Sequence, residues 1–426
     1  MDIIQRELDN GIPVIFVPQP NTRTFFHLCM TGGGSRYETE RTSGISHLLE
    51  HMMFKGTKKR PTAKEIAEEL DLLGGPYNAF TGREYIGFYA SATDNYFSQV
   101  ADLLSDQVLN SKLSGSELEL EKGAVIEEIN EAMTTPSDLV TEILPGLVYG
   151  DQAAGRSVLG TIDTVRSITR EQLRLAMNRF FVANNFVVAI AGNLPNEDRA
   201  LQILNEYYGK MTRGKNPRKY KVKPVTQNEP EVLIKNLDIP QAWIALAVRS
   251  PSISEDDYNV LRVMDTLLGT GMSSRLFSEI RERRGIAYSI YSFPYSDADT
   301  GNLVVCGGMN SGRTHEALSV IKEELYKLAE EPVSGHELET VKERIRNMYA
   351  FRLDNSERIA QVAAMQFTRL GHVKDPENEV RLMESVTAED IQRLAQSMFK
   401  NSNLNLSVVG PHTAEDREEF QEAISF

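Results

Sequence analysis

The chain has 426 residues, which is enough for two or three domains with hydrophobic cores of their own. Its formal net charge of −14 argues against nucleic acid as the main partner, because contacts with phosphates require a basic face. Two cysteines far apart in sequence, and no signal peptide or bilayer-spanning apolar run, favour a soluble protein of the reducing cytoplasm with no membrane contact.

Strand-like and helical patterns alternate along the chain. The runs "PVIFVPQ" and "TFFHLCMTG" predict strands, and "SGISHLLEHMMFKGT" predicts a helix with Thr42 or Ser43 as its N-cap. A capping box of Thr62 and Glu65 opens the following helix. Further strand patterns are "EYIGFYASA", "FVVAIAGN", "AWIALAV", "GNLVVCGGM" and "LNLSVVGP". Sheets covered by helices, in an α+β fold, are therefore expected.

The chain contains an internal repeat. "LSGSELELEKGAVIEEINEA" resembles "VSGHELETVKERIRNMYA", so that Ser114 in the first stretch corresponds to Ser334 in the second. Two strand patterns, one ending in Gly192 and the other in Gly410, are separated by nearly the same offset. We therefore predict two tandem homologous domains, at 1–212 and 231–426. The basic, proline-containing segment 213–230 between them has no apolar periodicity and indicates a solvated linker.

A candidate metal site lies in the first copy only. His47 and His51 are four positions apart, so on a helix they lie on one face and can bind one ion. Glu50 precedes the second histidine, which gives the H-x-x-E-H signature of inverted zincins. In the second copy the corresponding segment, 267–271, reads "LLGTG" and has no ligand side chain. Residues required by the scaffold should occur in both copies, so this contrast favours a chemical role.

A catalytic zinc needs a third protein ligand and an open position for water. The segment "LEKGAVIEEINEA" offers four glutamates, and its apolar stripe allows a choice among them by helical phase. Glu121 and Glu128 lie on one line at the edge of the stripe, whereas Glu127 points nearly opposite. We therefore predict Glu128 as the ligand. Glu121 is predicted to orient one of the histidines by a hydrogen bond, without contacting the metal itself.

The motif His47-x-x-Glu50-His51, with Glu128 further along the chain, resembles the pitrilysin (M16) family of zinc metallopeptidases. The resemblance extends over the whole chain and is strongest to the half-length branch that includes mitochondrial processing peptidase and its bacterial relatives. The stretches that carry it include "NGIPVIFVPQ", "GSRYE", "HLLEHMMFKGT", "LGGPYNAFTGREY", "IEEINEAMTTPSD" and "SSRLFSEIRERRGIAYSIYS". It implies two halves of like fold, each a mainly antiparallel sheet covered by helices.

The resemblance also implies roles for matched positions. One zinc ion per chain would be bound by His47, His51 and Glu128, with Glu50 as the general base. Arg281 and Tyr288 would reach the substrate carbonyl opposite the zinc. Without the resemblance, the sequence around these two residues would indicate only a structural role. An extended peptide would add to a sheet edge formed by Asn78, Ala79, Phe80 and Thr81.

The expected function is a zinc-dependent endopeptidase that cleaves short or unfolded peptides in a closed chamber. Such a chamber takes four of these domains, so the resemblance implies a second chain. Both the zinc motif and the Arg–Tyr pair occur here, which favours a homodimer in which each zinc faces the other protomer's second half. The alternatives are a heterodimer with a homologous subunit, as part of a heteromeric processing peptidase, and a non-catalytic structural subunit. A peptide-binding chaperone with structural zinc is a more distant alternative.

Overall fold

The computed structural model describes residues 2–426, which contain eleven β-strands and sixteen α-helices. The strands are β1 (Ile4–Glu7), β2 (Pro13–Pro18), β3 (Thr24–Gly32), β4 (Tyr77–Thr81), β5 (Tyr85–Thr93), β6 (Phe186–Gly192), β7 (Glu231–Asn236), β8 (Gln241–Ser250), β9 (Ala287–Ser296), β10 (Gly301–Asn310) and β11 (Leu404–Gly410). The helices of the first half are α1 (Ile45–Met52), α2 (Ala63–Leu72), α3 (Phe97–Asn110), α4 (Gly115–Thr134), α5 (Pro136–Glu142), α6 (Leu144–Tyr149), α7 (Ile162–Ser167), α8 (Arg170–Phe180) and α9 (Glu197–Tyr208). Those of the second half are α10 (Tyr258–Leu268), α11 (Thr314–Glu330), α12 (Gly335–Asp354), α13 (Ser356–Leu370), α14 (Pro376–Glu384), α15 (Ala388–Met398) and α16 (Arg417–Ile424).

The strands form two sheets of the same design. The first has the order β1-β2-β6-β3-β5-β4 and the second the order β7-β11-β8-β10-β9. In each sheet one pair is parallel, β2 with β6 and β7 with β11, and the other described pairs are antiparallel. The predicted α+β fold with mainly antiparallel sheets is confirmed.

The repeat appears in the elements themselves. Helices α4 and α12 are both 20 residues long, and their first residues, Gly115 and Gly335, occupy equivalent positions in the repeat. Strands β6 and β11 are both 7 residues long, and they end at the matching glycines Gly192 and Gly410. The edge strand β4 of the first sheet corresponds to the edge strand β9 of the second.

The chain folds into two compact units, which are not contiguous in sequence. One unit contains the chain up to Ile129 together with Arg156–Tyr220 and Ala350–Asp375. The other contains Asn130–Gly155, Lys221–Tyr349 and Pro376–Phe426. This differs from the predicted division at 1–212 and 231–426, because each half of the chain contributes one segment to the sheet of the other half.

The exchanged segments are helical. In the first unit, α1 and α3 pack on one face of the sheet, and α13 covers β2, β3 and β6 on the other face. In the second unit, α10, α15 and α16 lie on one face, and α5 and α6 cover β8 and β11 on the other. Helix α5 begins at Pro136 and α13 at Ser356, which are equivalent positions in the repeat, so the exchange is reciprocal.

The predicted linker has no helix or strand among residues 213–230. Part of it is nevertheless held in place in the first unit, where Lys219 forms an ion pair with the buried Glu84 at 3.0 Å and Arg36 donates to the backbone oxygen of Tyr220 at 2.9 Å. Among residues 2–426, no helix combines the length and the apolar character that crossing a membrane would require.

Candidate metal centre

Helix α1 carries His47, Glu50 and His51. Its Leu48, Leu49 and Met52 are fully buried in the core of the first unit, which fixes the rotation of this short helix. The two imidazoles lie at the edge of the buried face, with side chains 12% and 19% exposed. The packing of α1 therefore leaves a small part of each ring accessible to solvent, while the apolar residues of the helix stay buried.

The start of α1 differs from the prediction. Its N-cap is Gly44 in the left-handed conformation, and no Thr42 or Ser43 side chain caps the helix. Instead, the buried Glu38 accepts hydrogen bonds from the backbone N–H groups of Gly44 at 2.8 Å and Ser46 at 2.9 Å. When ionised, this carboxylate also compensates the helix dipole. A residue from outside the helix therefore caps α1.

Glu128 comes from α4, as the helical phase predicted. Leu118, Val125 and Ile129 of this helix are buried, and Glu127 is exposed. The carboxylate of Glu128 lies with Oε2 at 3.5 Å from Nε2 of His47 and Oε1 at 3.6 Å from Nε2 of His51. One donor atom from each of these three residues lies within 4.8 Å of the other two.

These residues fit a zinc ion. Four ligands at ~2.1 Å from a tetrahedral zinc are roughly 3.4 Å apart, close to both measured separations between histidine and glutamate. Burial, with the charge of His51 as a smaller cause, lowers the pKa of His47 to about 4, so this ring is neutral and can donate its lone pair at neutral pH. The side chain of Glu128 is 43% exposed, which leaves a route to the site from solvent.

Glu121 lies behind His51, with Oε2 at 3.2 Å from Nδ1 of the imidazole. That contact leaves Nε2 of His51 directed at Glu128 and favours the tautomer with the proton on Nδ1. The other oxygen of Glu121 forms an ion pair with Nζ of Lys55 at 2.6 Å. Lys55 was not predicted from the sequence, because it lies beyond the end of α1 and no spacing rule joins it to Glu121.

Glu50 is buried beside the two histidines. The hydroxyl of Thr81 donates to its Oε2 at 2.5 Å. Burial is the main cause that raises the pKa of Glu50, and the Thr81 hydrogen bond and the charge of His51 act in the opposite direction. A buried carboxylate that retains proton affinity can act as a general base.

The predicted peptide-binding segment is the edge strand β4. It pairs with β5 on one side, and among residues 2–426 no strand pairs with its other side. Ala79 and Thr81 face the core that contains α1, whereas Phe80 packs against the rings of Tyr85 and Tyr89. Asn78 is exposed. Only alternate residues, Ala79 and Thr81, direct their backbone groups to this outer edge, and the N–H of Ala79 is bonded to Oδ1 of Asn78 at 2.9 Å. The edge lies close to Glu50, and an unpaired edge is the feature to which an extended peptide adds in β-augmentation.

Arg281 and Tyr288 belong to the second unit, where they are in contact. The Arg281 guanidinium lies 5.1 Å from the centre of the Tyr288 ring and 4.8 Å from that of Phe277. Phe277–Arg283 form a π-helix, a geometry often found at functional sites. Tyr288 is 83% exposed, which is unusual for a purely structural aromatic residue. The contact of Phe277 with Arg281 was not predicted from the sequence, although an aromatic residue four positions before an arginine on a helix is a recognisable pattern.

In the second copy, three matching positions carry apolar side chains, and two of them are used for packing. Leu267 and Val341, at the positions of His47 and Glu121, are buried in the second core. Met348, at the position of Glu128, is exposed and apolar. Within residues 2–426, His47, His51 and Glu128 are the one group of three or more potential ligand side chains close enough to hold a metal ion.

Comparison with known proteins also distinguishes the first copy, which has the metal ligands, from the second, which lacks them. Residues 19–162 match the family model described as insulinase (peptidase family M16), and residues 167–345 match the peptidase M16 inactive domain. The uncharacterized zinc protease YmxG of Bacillus subtilis is 31% identical over 94% of this chain and 97% of its own length. An uncharacterized zinc protease of Mycobacterium leprae is 32% identical over 97% of this chain and 92% of its own length. The chain belongs to peptidase family M16.

Solved structures show the same M16 fold of two tandem domains. A protease from Helicobacter pylori superimposes with a TM-score of 0.91 at 21% identity, covering 96% of this chain and 99% of that chain. A peptidase M16 inactive domain from Pseudomonas fluorescens gives 0.88 at 17% identity, with coverages of 97% and 99%. The family and the names of the relatives support a peptidase-type function for this chain.

Proposed function

We propose that this protein is a zinc-dependent endopeptidase that hydrolyses short or unfolded peptides, with Glu50 as the general base. The observation that supports it most directly is the convergence of His47, His51 and Glu128 from two helices, with the buried Glu50 beside them. Family membership and relatives named zinc proteases support the same class of reaction.

His47, His51 and Glu128 would hold one zinc ion per chain. When bound there, zinc would supply Lewis-acid activation of the attacking water and of the peptide carbonyl. Glu121 holds His51 in the orientation and tautomer that this binding needs, and Lys55 fixes Glu121.

The proton transfers fall to Glu50. It would accept a proton from the attacking water and return it to the leaving amine, which a buried carboxylate of raised pKa can do near neutral pH. The substrate would lie in extended form along Asn78–Thr81, so that main-chain hydrogen bonds to β4 place the scissile bond near Glu50. Arg281 and Tyr288 would donate to the oxyanion that develops on the carbonyl.

The proposed assembly is a homodimer that encloses a chamber and uses the Arg281–Tyr288 pair of one protomer at the zinc site of the other. A heterodimer with a homologous subunit is the alternative. The net charge of −14 argues against nucleic acid as a partner. The proposal includes no membrane contact. The proposed location is the cytoplasm.

The test is hydrolysis of a quenched unstructured peptide by the purified protein, with and without a chelator, combined with its mass in solution. We expect chelator-sensitive cleavage by a species of twice the chain mass. Glu50→Gln should retain zinc and lose at least roughly 10³-fold in kcat, because only the proton acceptor is removed. Glu127→Gln, one position before Glu128 and facing solvent, is the matched control and should behave as wild type.

Zinc retention with near wild-type turnover in Glu50→Gln would contradict the assignment of the general base. No cleavage despite bound zinc would favour an obligate heteromeric partner. Absence of bound metal in the purified protein would favour a structural subunit.

A further inference from the structure

We infer that Thr81 is a positioning residue that holds the carboxylate of Glu50 in place for proton transfer. This inference rests on the proposed function, in which Glu50 is the general base. Its basis is the 2.5 Å hydrogen bond from the Thr81 hydroxyl to Oε2 of Glu50, which joins the edge strand β4 to helix α1.

The alternation of side chains along β4 makes this contact possible. Successive residues of a strand point to opposite faces, so Ala79 and Thr81 share the face that packs against α1. Ala79 is buried in the core, and Thr81, two positions further on, is only partly buried and reaches Glu50. The hydroxyl thus lies where the packed part of the strand gives way to the open site.

The Thr81 hydroxyl is a donor that can fix the orientation of the Glu50 carboxylate. The terminal torsion of a glutamate is broad, so packing of the stem alone does not fix the plane of the two oxygens. The Thr81 hydrogen bond occupies Oε2 and defines that plane, and Oε1 remains as the oxygen that takes the proton. A displacement of about 1 Å at a reacting group can cost about 100-fold in rate, so this bond matters for turnover.

The position of Thr81 also links the base to the substrate. The residue lies on the strand along which the peptide would be held, so one side chain fixes the distance between the general base and the bound main chain. Glu50 and the substrate are therefore placed by the same structural element, rather than by two elements that move separately.

The kinetic test compares Thr81→Val, which has nearly the same shape without the hydroxyl, with Thr81→Ser, which keeps the hydroxyl. We expect Thr81→Val to lower kcat roughly 10- to 100-fold with KM within about two-fold of wild type, and Thr81→Ser to restore kcat to within about three-fold. Bound zinc per chain should stay at the wild-type value in both, and both should be folded at the assay temperature. Thr81→Val should have a lower thermal midpoint, because it leaves Oε2 of the buried Glu50 without its donor. Thr93→Val, the same chemical change at the exposed end of β5, is the control and should have wild-type kinetics.

Three kinetic results would overturn the inference. They are wild-type kcat in Thr81→Val, a rise in KM with kcat intact, and a Thr81→Ser variant as slow as Thr81→Val. Loss of zinc from Thr81→Val would also overturn it, because Thr81 would then act on the metal site and not on Glu50.

A second measurement does not depend on turnover. Crystal structures of wild type and Thr81→Val should show the Glu50 carboxylate ordered in the first and displaced or in several conformations in the second. An unchanged Glu50 in Thr81→Val would overturn the inference. If wild type shows no zinc-dependent hydrolysis, the proposed function is contradicted. The two crystal structures still show in that case whether Thr81 holds the Glu50 carboxylate in place.

Discussion

At the residue scale, Glu121 is the clearest example of a side chain that acts through a neighbour. It contacts Nδ1 of His51 at 3.2 Å and Lys55 at 2.6 Å, and it does not belong to the group of close donor atoms. We expect Glu121→Gln to weaken zinc binding about 10- to 100-fold, because a neutral amide holds the imidazole less firmly in the required tautomer. Competition with a chromophoric chelator measures this affinity directly.

The control for Glu121→Gln is Glu127→Gln, which removes one carboxylate from the same helix on its solvent side. The two variants have the same net charge, so an effect of the overall charge alone on the zinc affinity would be the same in both. Equal affinities in the two variants would contradict the role of Glu121.

The site was partly predictable from the sequence at this scale. Helical spacing placed His47 and His51 on one face, and helical phase selected Glu128 over Glu127, since both arguments depend only on residues within one helix. The hydrogen bond from Thr81 to Glu50 and the ion pair of Lys55 with Glu121 each join residues that are far apart in sequence. No local periodicity reports such contacts, which depend on how separate elements pack.

At the scale of the element, α1 depends on a cap from outside the helix. Glu38 offers one oxygen to each of two backbone N–H groups, those of Gly44 and Ser46. The predicted caps, Thr42 and Ser43, followed the usual preference for a hydroxyl just before the first turn. That rule fails here because Gly44 takes the left-handed conformation, which redirects the chain before the helix starts.

The ionisation of Glu38 should make stability depend on pH. Burial, which outweighs the hydrogen bonds from Ser46 and Gly44 and the charge of Arg156, raises the pKa of Glu38 from 4.5 to about 7. The folded state therefore holds this proton more tightly than the unfolded state. The resulting stabilisation is complete below pH 4.5 and is lost as the pH rises through 7, by about 3 kcal/mol in total.

Glu38→Gln isolates this contribution. The amide keeps one acceptor oxygen and replaces the other with an NH₂ group that cannot accept a hydrogen bond, so the variant should be less stable than wild type at pH 5. Between pH 5 and pH 8 wild type alone bears the cost of a buried charge, so the deficit of the variant should shrink by up to about 3 kcal/mol. Urea unfolding of the metal-free proteins in excess chelator measures this. A deficit that stays constant or grows with pH would contradict the raised pKa.

At the scale of the whole molecule, the duplication was visible in the sequence and the exchange of helices was not. The nearly constant offset of the repeat located the matching helices α4 and α12 and the matching strands β6 and β11. Strand β3 carries apolar side chains on both faces, Phe25 and Cys29 on one and Phe26, Leu28 and Met30 on the other, which indicates that both faces are covered. That pattern does not identify the covering segment, and α13 comes from the second half of the chain.

The exchange predicts that the first half of the chain does not fold stably alone. In a fragment of residues 1–220 the sheet face normally covered by α13 would be open to water, exposing Ile15, Val17, Phe26, Leu28, Met30, Val187, Ala189 and Ala191. Contiguous apolar surface of this kind promotes association and binding of hydrophobic dyes. We expect the fragment alone to bind such a dye and to aggregate on warming.

Adding a synthetic peptide of residues 350–375 should reduce both effects, because this segment contains α13 and its buried Ile359, Ala360, Ala363 and Ala364. A residual signal is expected from α5 and α6, since the sheet that they cover is absent from the fragment. The control peptide carries Ala363→Arg, which places a large charged side chain at a position that is 1% exposed. Dye fluorescence and light scattering during a thermal ramp distinguish the two peptides. A fragment that melts cooperatively without any peptide, or that responds equally to both, would show that the first sheet does not need the helix supplied by the second half.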